Sequence, residues 1–202
     1  VRHTDMNDRI KEIKQSFHQM MDGAVAQSMR DKGVDYHLNW GVTLPRLREK
    51  ANEIGKNYEL AIALWKENVR ECKILATMVM PADVILCEVV DIWMEQTETV
   101  EIAEQASMNL YQYLPYAPMK AFEWIASDKE LYQLCGFHVL SRLFMNGQEP
   151  NERGINEVLD QVHVALQSPN VTVRKAALNS LNRFAGLGLV YERLADNILR
   201  RL

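Results

Sequence analysis

Glu101 and Glu104 stand three residues apart, the spacing that places two carboxylates one turn apart on the same face of a helix. Such a pair could share a divalent cation, but it lacks the Glu-x-x-His companion that carboxylate metal sites in helical proteins use. No metal or other cofactor is therefore expected. His138 and His163 have no serine, cysteine or carboxylate at a catalytic spacing and read as surface or hydrogen-bonded core histidines. Cys72, Cys87 and Cys135 lie far apart among apolar neighbours, which fits buried reduced thiols better than disulfides or a metal site. Charge is more informative. No lysine or arginine lies between Lys73 and Lys120, whereas Asp83, Glu88, Asp91, Glu95, Glu98, Glu101 and Glu104 all do, and such a stretch repels phosphate. Residues 171–202 reverse the balance, with Arg174, Lys175, Arg183, Arg193, Arg200 and Arg201 against Glu192 and Asp196. If nucleic acid binds, this end holds it.

The elements that must position these groups are helical. Residues 7–30 carry Ile10, Ile13, Phe17, Met20, Met21 and Ala24 at helical spacing without a proline, which predicts one long N-terminal helix within residues 1–33, ending near Gly33. Thr43-Leu44-Pro45 opens the next helix and Gly55 stops it. Further helices are expected over residues 58–65, from Asn68, after Pro81, and over 99–113, 118–126, 129–144, 152–167, 171–184 and 187–200. Short breakers such as Ser127-Asp128, Asn146-Gly147 and Ser168-Pro169-Asn170 separate them, and connections this short imply antiparallel neighbours. No run of alternating β-branched residues calls for a sheet. Trp65 and Trp93 fall on apolar faces as core anchors.

Two segments share a layout. Val69-Arg70-Glu71-Cys72-Lys73-Ile74-Leu75-Ala76 and Val173-Arg174-Lys175-Ala176-Ala177 each place a valine-arginine pair after a short turn and before small apolar residues. That is the second helix of a HEAT-type repeat, so the fold class is all-α, a HEAT-like repeat α-solenoid of stacked antiparallel helix pairs in one domain spanning residues 1–202. An arginine at this place either bridges neighbouring repeats through carboxylates or reaches outward to phosphate, and Arg70 with Glu71 and Arg174 with Lys175 are open to both roles.

Over residues 36–184 the chain resembles the AlkD family of DNA alkylation repair proteins. The likeness is carried by residues 36–51 followed by Ala61-Ile62-Ala63-Leu64-Trp65, by the Arg70 segment, by Asp91-Ile92-Trp93 with the Glu-rich helix after it, and by Val173-Arg174-Lys175-Ala176-Ala177-Leu178-Asn179-Ser180-Leu181. The resemblance implies HEAT-like solenoids that excise N-alkylated purines, with basic residues on duplex phosphates and a catalytic aspartate flanked by tryptophans and an arginine. The family's aspartate follows one tryptophan by four residues. Glu104 stands at the aspartate position, one methylene longer, and Val100 at the tryptophan position. The arginine's place falls at Gln133-Leu134-Cys135-Gly136, and the second tryptophan's at Asn179 or Ser180.

The resemblance thus makes Glu104 the candidate electrostatic and water-activating carboxylate of a possible DNA glycosylase, and Arg174, Lys175 and Arg183 the candidate DNA-binding residues. Double-stranded DNA or alkylated-base lesions are the expected partner. The alternative is a noncatalytic HEAT-repeat scaffold for a protein or peptide, which the acidic middle and the missing tryptophans favour. The longest apolar run, residues 74–80, is too short to span a bilayer, and residues 1–20 lack the apolar centre of a secretory signal. A cytoplasmic protein without a membrane partner is expected.

Overall fold

The computed structural model describes the backbone of residues 2–202 and the side chains from Asp5 onward. Among the described residues the regular structure is helical throughout, twelve α-helices and one 3₁₀ turn. The chain divides into two compact units, Val1–Leu110 and Tyr111–Leu202.

The first unit contains α1 (Arg2–Met20), α2 (Gly23–Asp31), α3 (Leu44–Ile54), α4 (Tyr58–Trp65), α5 (Arg70–Val79), α6 (Cys87–Glu95) and α7 (Val100–Asn109). Its centre is α5, which packs against α3, α4 and α7. Every residue of α5 except Lys73 is buried. A helix enclosed on all sides must satisfy its polar groups internally: Thr77 Oγ1 donates to the carbonyl of Ile74, and Asn109 from α7 donates to Thr77 Oγ1. Lys14 ties α1 to the α4–α5 turn through Glu67 at 2.5 Å.

The expected single helix at the N-terminus is two helices, broken at Met21 and Asp22. Asp22 leaves the helical region and its carboxylate accepts from the backbone N–H groups of Ala24 and Val25, the N-cap role for which a short acceptor side chain is suited. Gly41 fixes the same corner from the other side. It has φ +70°, and a Cβ there would lie 2.2 Å from the carbonyl oxygen of Asp22. Only glycine fits a left-handed turn at that distance. Apolar spacing continued through the break, so periodicity alone could not reveal it.

The second unit contains a 3₁₀ turn at Tyr111–Tyr113, then α8 (Ala117–Ile125), α9 (Glu130–Met145), α10 (Glu152–Ala165), α11 (Val171–Ala185) and α12 (Leu189–Leu199). Here α9 packs against α8 and α11, and α11 against α10 and α12. Gly136 allows the first of these contacts, because a Cβ would meet the Ile125 backbone nitrogen at 2.7 Å and the Ala121 carbonyl oxygen at 2.9 Å. Asn151 and Asn170 cap α10 and α11 with side-chain acceptors. In this unit the helix limits agree closely with those expected from breaker positions, within the usual uncertainty of a helix end, whereas in the first unit α6 begins at Cys87 and not directly after Pro81, and α7 ends at Asn109.

Candidate nucleic-acid interface and carboxylate sites

Arg70 begins α5 as a fully buried cation, 1% exposed. A buried guanidinium requires carboxylates and acceptors around it, and it has them. Its Nε and Nη2 donate to the two oxygens of Glu101 at 2.7 and 2.9 Å. Its Nη1 donates to the Val42 carbonyl at 2.8 Å and to Glu71 Oε1 at 3.1 Å. The same Glu71 oxygen accepts from the backbone N–H groups of Trp40 and Val42, while Tyr36 donates its hydroxyl to Glu101 Oε1 at 2.5 Å. Burial by itself would raise the Glu101 carboxyl, but the Arg70 hydrogen bonds and charge, aided by Tyr36, hold it below the ordinary carboxylate range. Burial, then the Glu101 charge, pushes the Tyr36 hydroxyl well above its ordinary value. Arg70 and Glu71 therefore take the structural role weighed for them, binding α5, α7 and the loop before α3 together. Sequence reasoning considered Glu101 only beside Glu104, set a metal pair aside, and did not connect it with Arg70. The available signal was an arginine opening a helix that is nearly all apolar from Ile74 onward, a setting in which a cation demands acids around it.

Glu104 is half-buried on α7, one turn beyond Glu101, and Val100 is 40% exposed at the head of the same helix. Thr99 caps α7 by accepting from the Ile102 N–H. Close by is a polar cleft of about 460 Å³, lined in part by Tyr36, Asn68, Arg70, Lys73, Gln96 and Thr99. The two tryptophans expected as core anchors are both 2% exposed and stack on each other, centroids 4.4 Å apart and planes within 7°. Trp65 donates to Gln96 Oε1, and Lys73 lies over the Trp65 ring at 4.5 Å. These faces are occupied by each other and by Lys73, which leaves them unsuited to stacking on a base.

The second unit places Arg174, Lys175 and Arg183 on α11. Lys175, Leu178, Asn179, Asn182 and Arg183 form its exposed stripe, the spacing of one helix face. Arg174 is half-buried and donates from Nη1 to the Ser168 carbonyl at 2.6 Å, so part of its guanidinium secures the turn before α11. The neighbouring positions are filled by small groups. Ser180 is wholly buried, donating to the Phe137 carbonyl and meeting Ser141 Oγ at 2.8 Å, and exposed Asn179 donates to Ser141. On α9, Gln133 donates to the Ser127 carbonyl at 2.6 Å. The candidate site residues thus divide between the units, Glu104 in the first and the three cations in the second.

Residues 13–186 match the family model described as DNA alkylation repair enzyme. The chain belongs to the DNA alkylation repair enzyme family. A solved structure is also similar, described as "A new family of proteins related to the HEAT-like repeat DNA glycosylases with affinity for branched DNA structures". The two agree with a TM-score of 0.82 at 19% sequence identity, over 94% of this chain and 81% of that one. At that identity the likeness establishes the fold, which is the HEAT-like repeat of helix pairs read from the sequence. No curated protein matches the chain in sequence.

Membership of the DNA alkylation repair family extends the resemblance in both directions, taking in the C-terminal part of α1 as well as the end of α11. Within this family member, no helix among the described residues is long and apolar enough to cross a membrane.

Proposed function

We propose that this family member binds DNA whose geometry is distorted, either a duplex carrying an alkylated base or a branch, with Arg174, Lys175 and Arg183 as phosphate contacts. The observation that carries the reading is the exposed stripe of α11 bearing Lys175 and Arg183, with half-buried Arg174 beside it, in a chain of a DNA repair family. The affinity of the similar structure for branched DNA supports branched substrates as ligands to try. Phosphate contacts of this kind supply most of the affinity and make it salt-dependent.

Base excision in this reading rests on Glu104. A carboxylate stabilises an oxocarbenium-like transition state and activates water for attack, provided the lesion is held against it. Val100 at one tryptophan position, and Asn179 or Ser180 at the other, lack the aromatic faces that would each contribute on the order of 0.5–2 kcal/mol toward a cationic base. Release of an N-alkylated purine is accordingly expected to be slow, with binding the principal activity.

The deciding experiment measures fluorescence anisotropy of labelled duplex, duplex with an abasic-site analogue and a four-way junction, at low and high salt. Salt-sensitive binding that is tighter on the modified or branched DNA supports the proposal. Absence of binding at low salt overturns it. Single-turnover release of N-alkylated purines by the wild type and Glu104→Gln then tests the assignment of the carboxylate, which falls if the two rates are equal.

A further inference from the structure

We propose that the outer face of α6, with the turn before it, is a docking site for a basic amphipathic helix of another protein. The segment presents Val84, Leu86 and Ile92 at 51%, 61% and 50% exposure. The helix's own core contacts do not account for them, because α6 is already anchored by Val90, Trp93 and Met94, all buried on the opposite side. Ile92 stands one turn from both Glu88 and Glu95, which are exposed, so aliphatic and acidic groups share one helix face. Asp83, Asp91 and Glu98 extend the exposed negative charge along the segment. No lysine or arginine occurs in residues 74–119, and Lys73, just before that stretch, interacts with Glu98 at the segment's far end.

Charge and shape together select the occupant. The exposed aliphatic side chains along this segment offer apolar contact to another macromolecule, and the exposed carboxylates among them exclude a polyanion while steering a cationic partner. A helix with leucine-type anchors at i, i+3 or i+4 and i+7, flanked by lysine or arginine, satisfies both demands. DNA is the wrong sign. The inference is independent of the DNA-binding proposal, since it uses α6 and none of the cations of α11.

The test uses the full chain and a fluorescein-labelled peptide of leucine and lysine arranged as an amphipathic helix. A scrambled peptide of the same composition and a leucine-glutamate analogue serve as comparisons. The amphipathic basic peptide is expected to bind about tenfold or more tighter than either, with Glu88→Lys/Glu95→Lys and Ile92→Ser each weakening it by about tenfold. Asp31→Lys/Asp160→Lys, the same charge change at exposed acids elsewhere, leaves binding unchanged. The double lysine variant alters only exposed positions, so it remains informative if Ile92→Ser fails to fold. Equal binding of the scrambled peptide, or unchanged affinity in the α6 variants, overturns the proposal. So does sedimentation showing that the face is covered by a second copy of the chain.

Discussion

Arg70 and Glu101 meet side by side, guanidinium against carboxylate, across the contact between α5 and α7 at 2.7 and 2.9 Å. The pair matters because Glu101 lies in the first turn of the helix on which Glu104 sits. Replacing Arg70 by methionine removes one cation and strands two carboxylates, Glu71 fully buried and Glu101 largely so. We expect a loss of about 3–5 kcal/mol in urea unfolding. Arg70→Lys should recover part of it, since an ammonium keeps the charge but not the two-point geometry.

Acid stability should follow the same pair. Glu101 is held below the ordinary carboxylate range in the fold, so its contribution is fully present above the ordinary value of about 4.3. It is lost as pH falls from there through the depressed value of the folded state. Thermal melts recorded against pH should show this acid limb in the wild type. Glu101→Gln should be less stable near neutrality and flatter below it.

Phosphate binding by α11 predicts a separable phenotype. Lys175→Glu/Arg183→Glu changes only exposed side chains and should weaken DNA binding and reduce its dependence on salt, with melting unchanged. Arg174→Glu should weaken binding and also lower the melting temperature, because it loses the bond to the Ser168 carbonyl. Anisotropy and calorimetry on the same samples distinguish the two.

Close approach at two glycines predicts sensitivity to a single methyl group. Gly136→Ala forces α8 and α9 apart and should cost about 1–3 kcal/mol by overpacking. Gly41→Ala adds backbone strain at φ +70° to a collision with Asp22 and should cost at least about 1 kcal/mol. Denaturant midpoints measure both, and wild-type values in either variant would contradict the packing described.

Thiol chemistry should rank the cysteines. Cys72 and Cys135 are fully buried and Cys87 is half-buried, and burial pushes the Cys72 thiol up to about 12. A thiol reagent should label Cys87 first in the native protein and reach the other two only on unfolding. The expectation of three buried thiols is thus correct for two of them.

Helices were readable wherever an apolar stripe ended at a breaker, as α9, α10 and α11 do at Asn146, the Ser168-Pro169-Asn170 turn and Gly186. The corner at Asp22 was not, because its cap is a local polar preference competing with an uninterrupted apolar pattern. Trp65 and Trp93 could be assigned to the core from their spacing, whereas their mutual stacking depends on contacts across the fold. Arg70 could be seen as a bridging residue, but its partner is 31 positions away in the chain, and no periodicity encodes that distance. Glu104 was reached through family resemblance alone. Its half-buried setting came only with the structure.

The stacked indoles of Trp65 and Trp93 also give the molecule an internal optical reporter. Trp40, Trp65 and Trp93 belong to the first unit and Trp124 to the second. A Trp124→Phe chain would emit from the first unit alone, and separating the stacked rings would alter that emission. Loosening of Val1–Leu110 can therefore be followed in real time without a dye, and compared with loss of the helical signal from the whole chain.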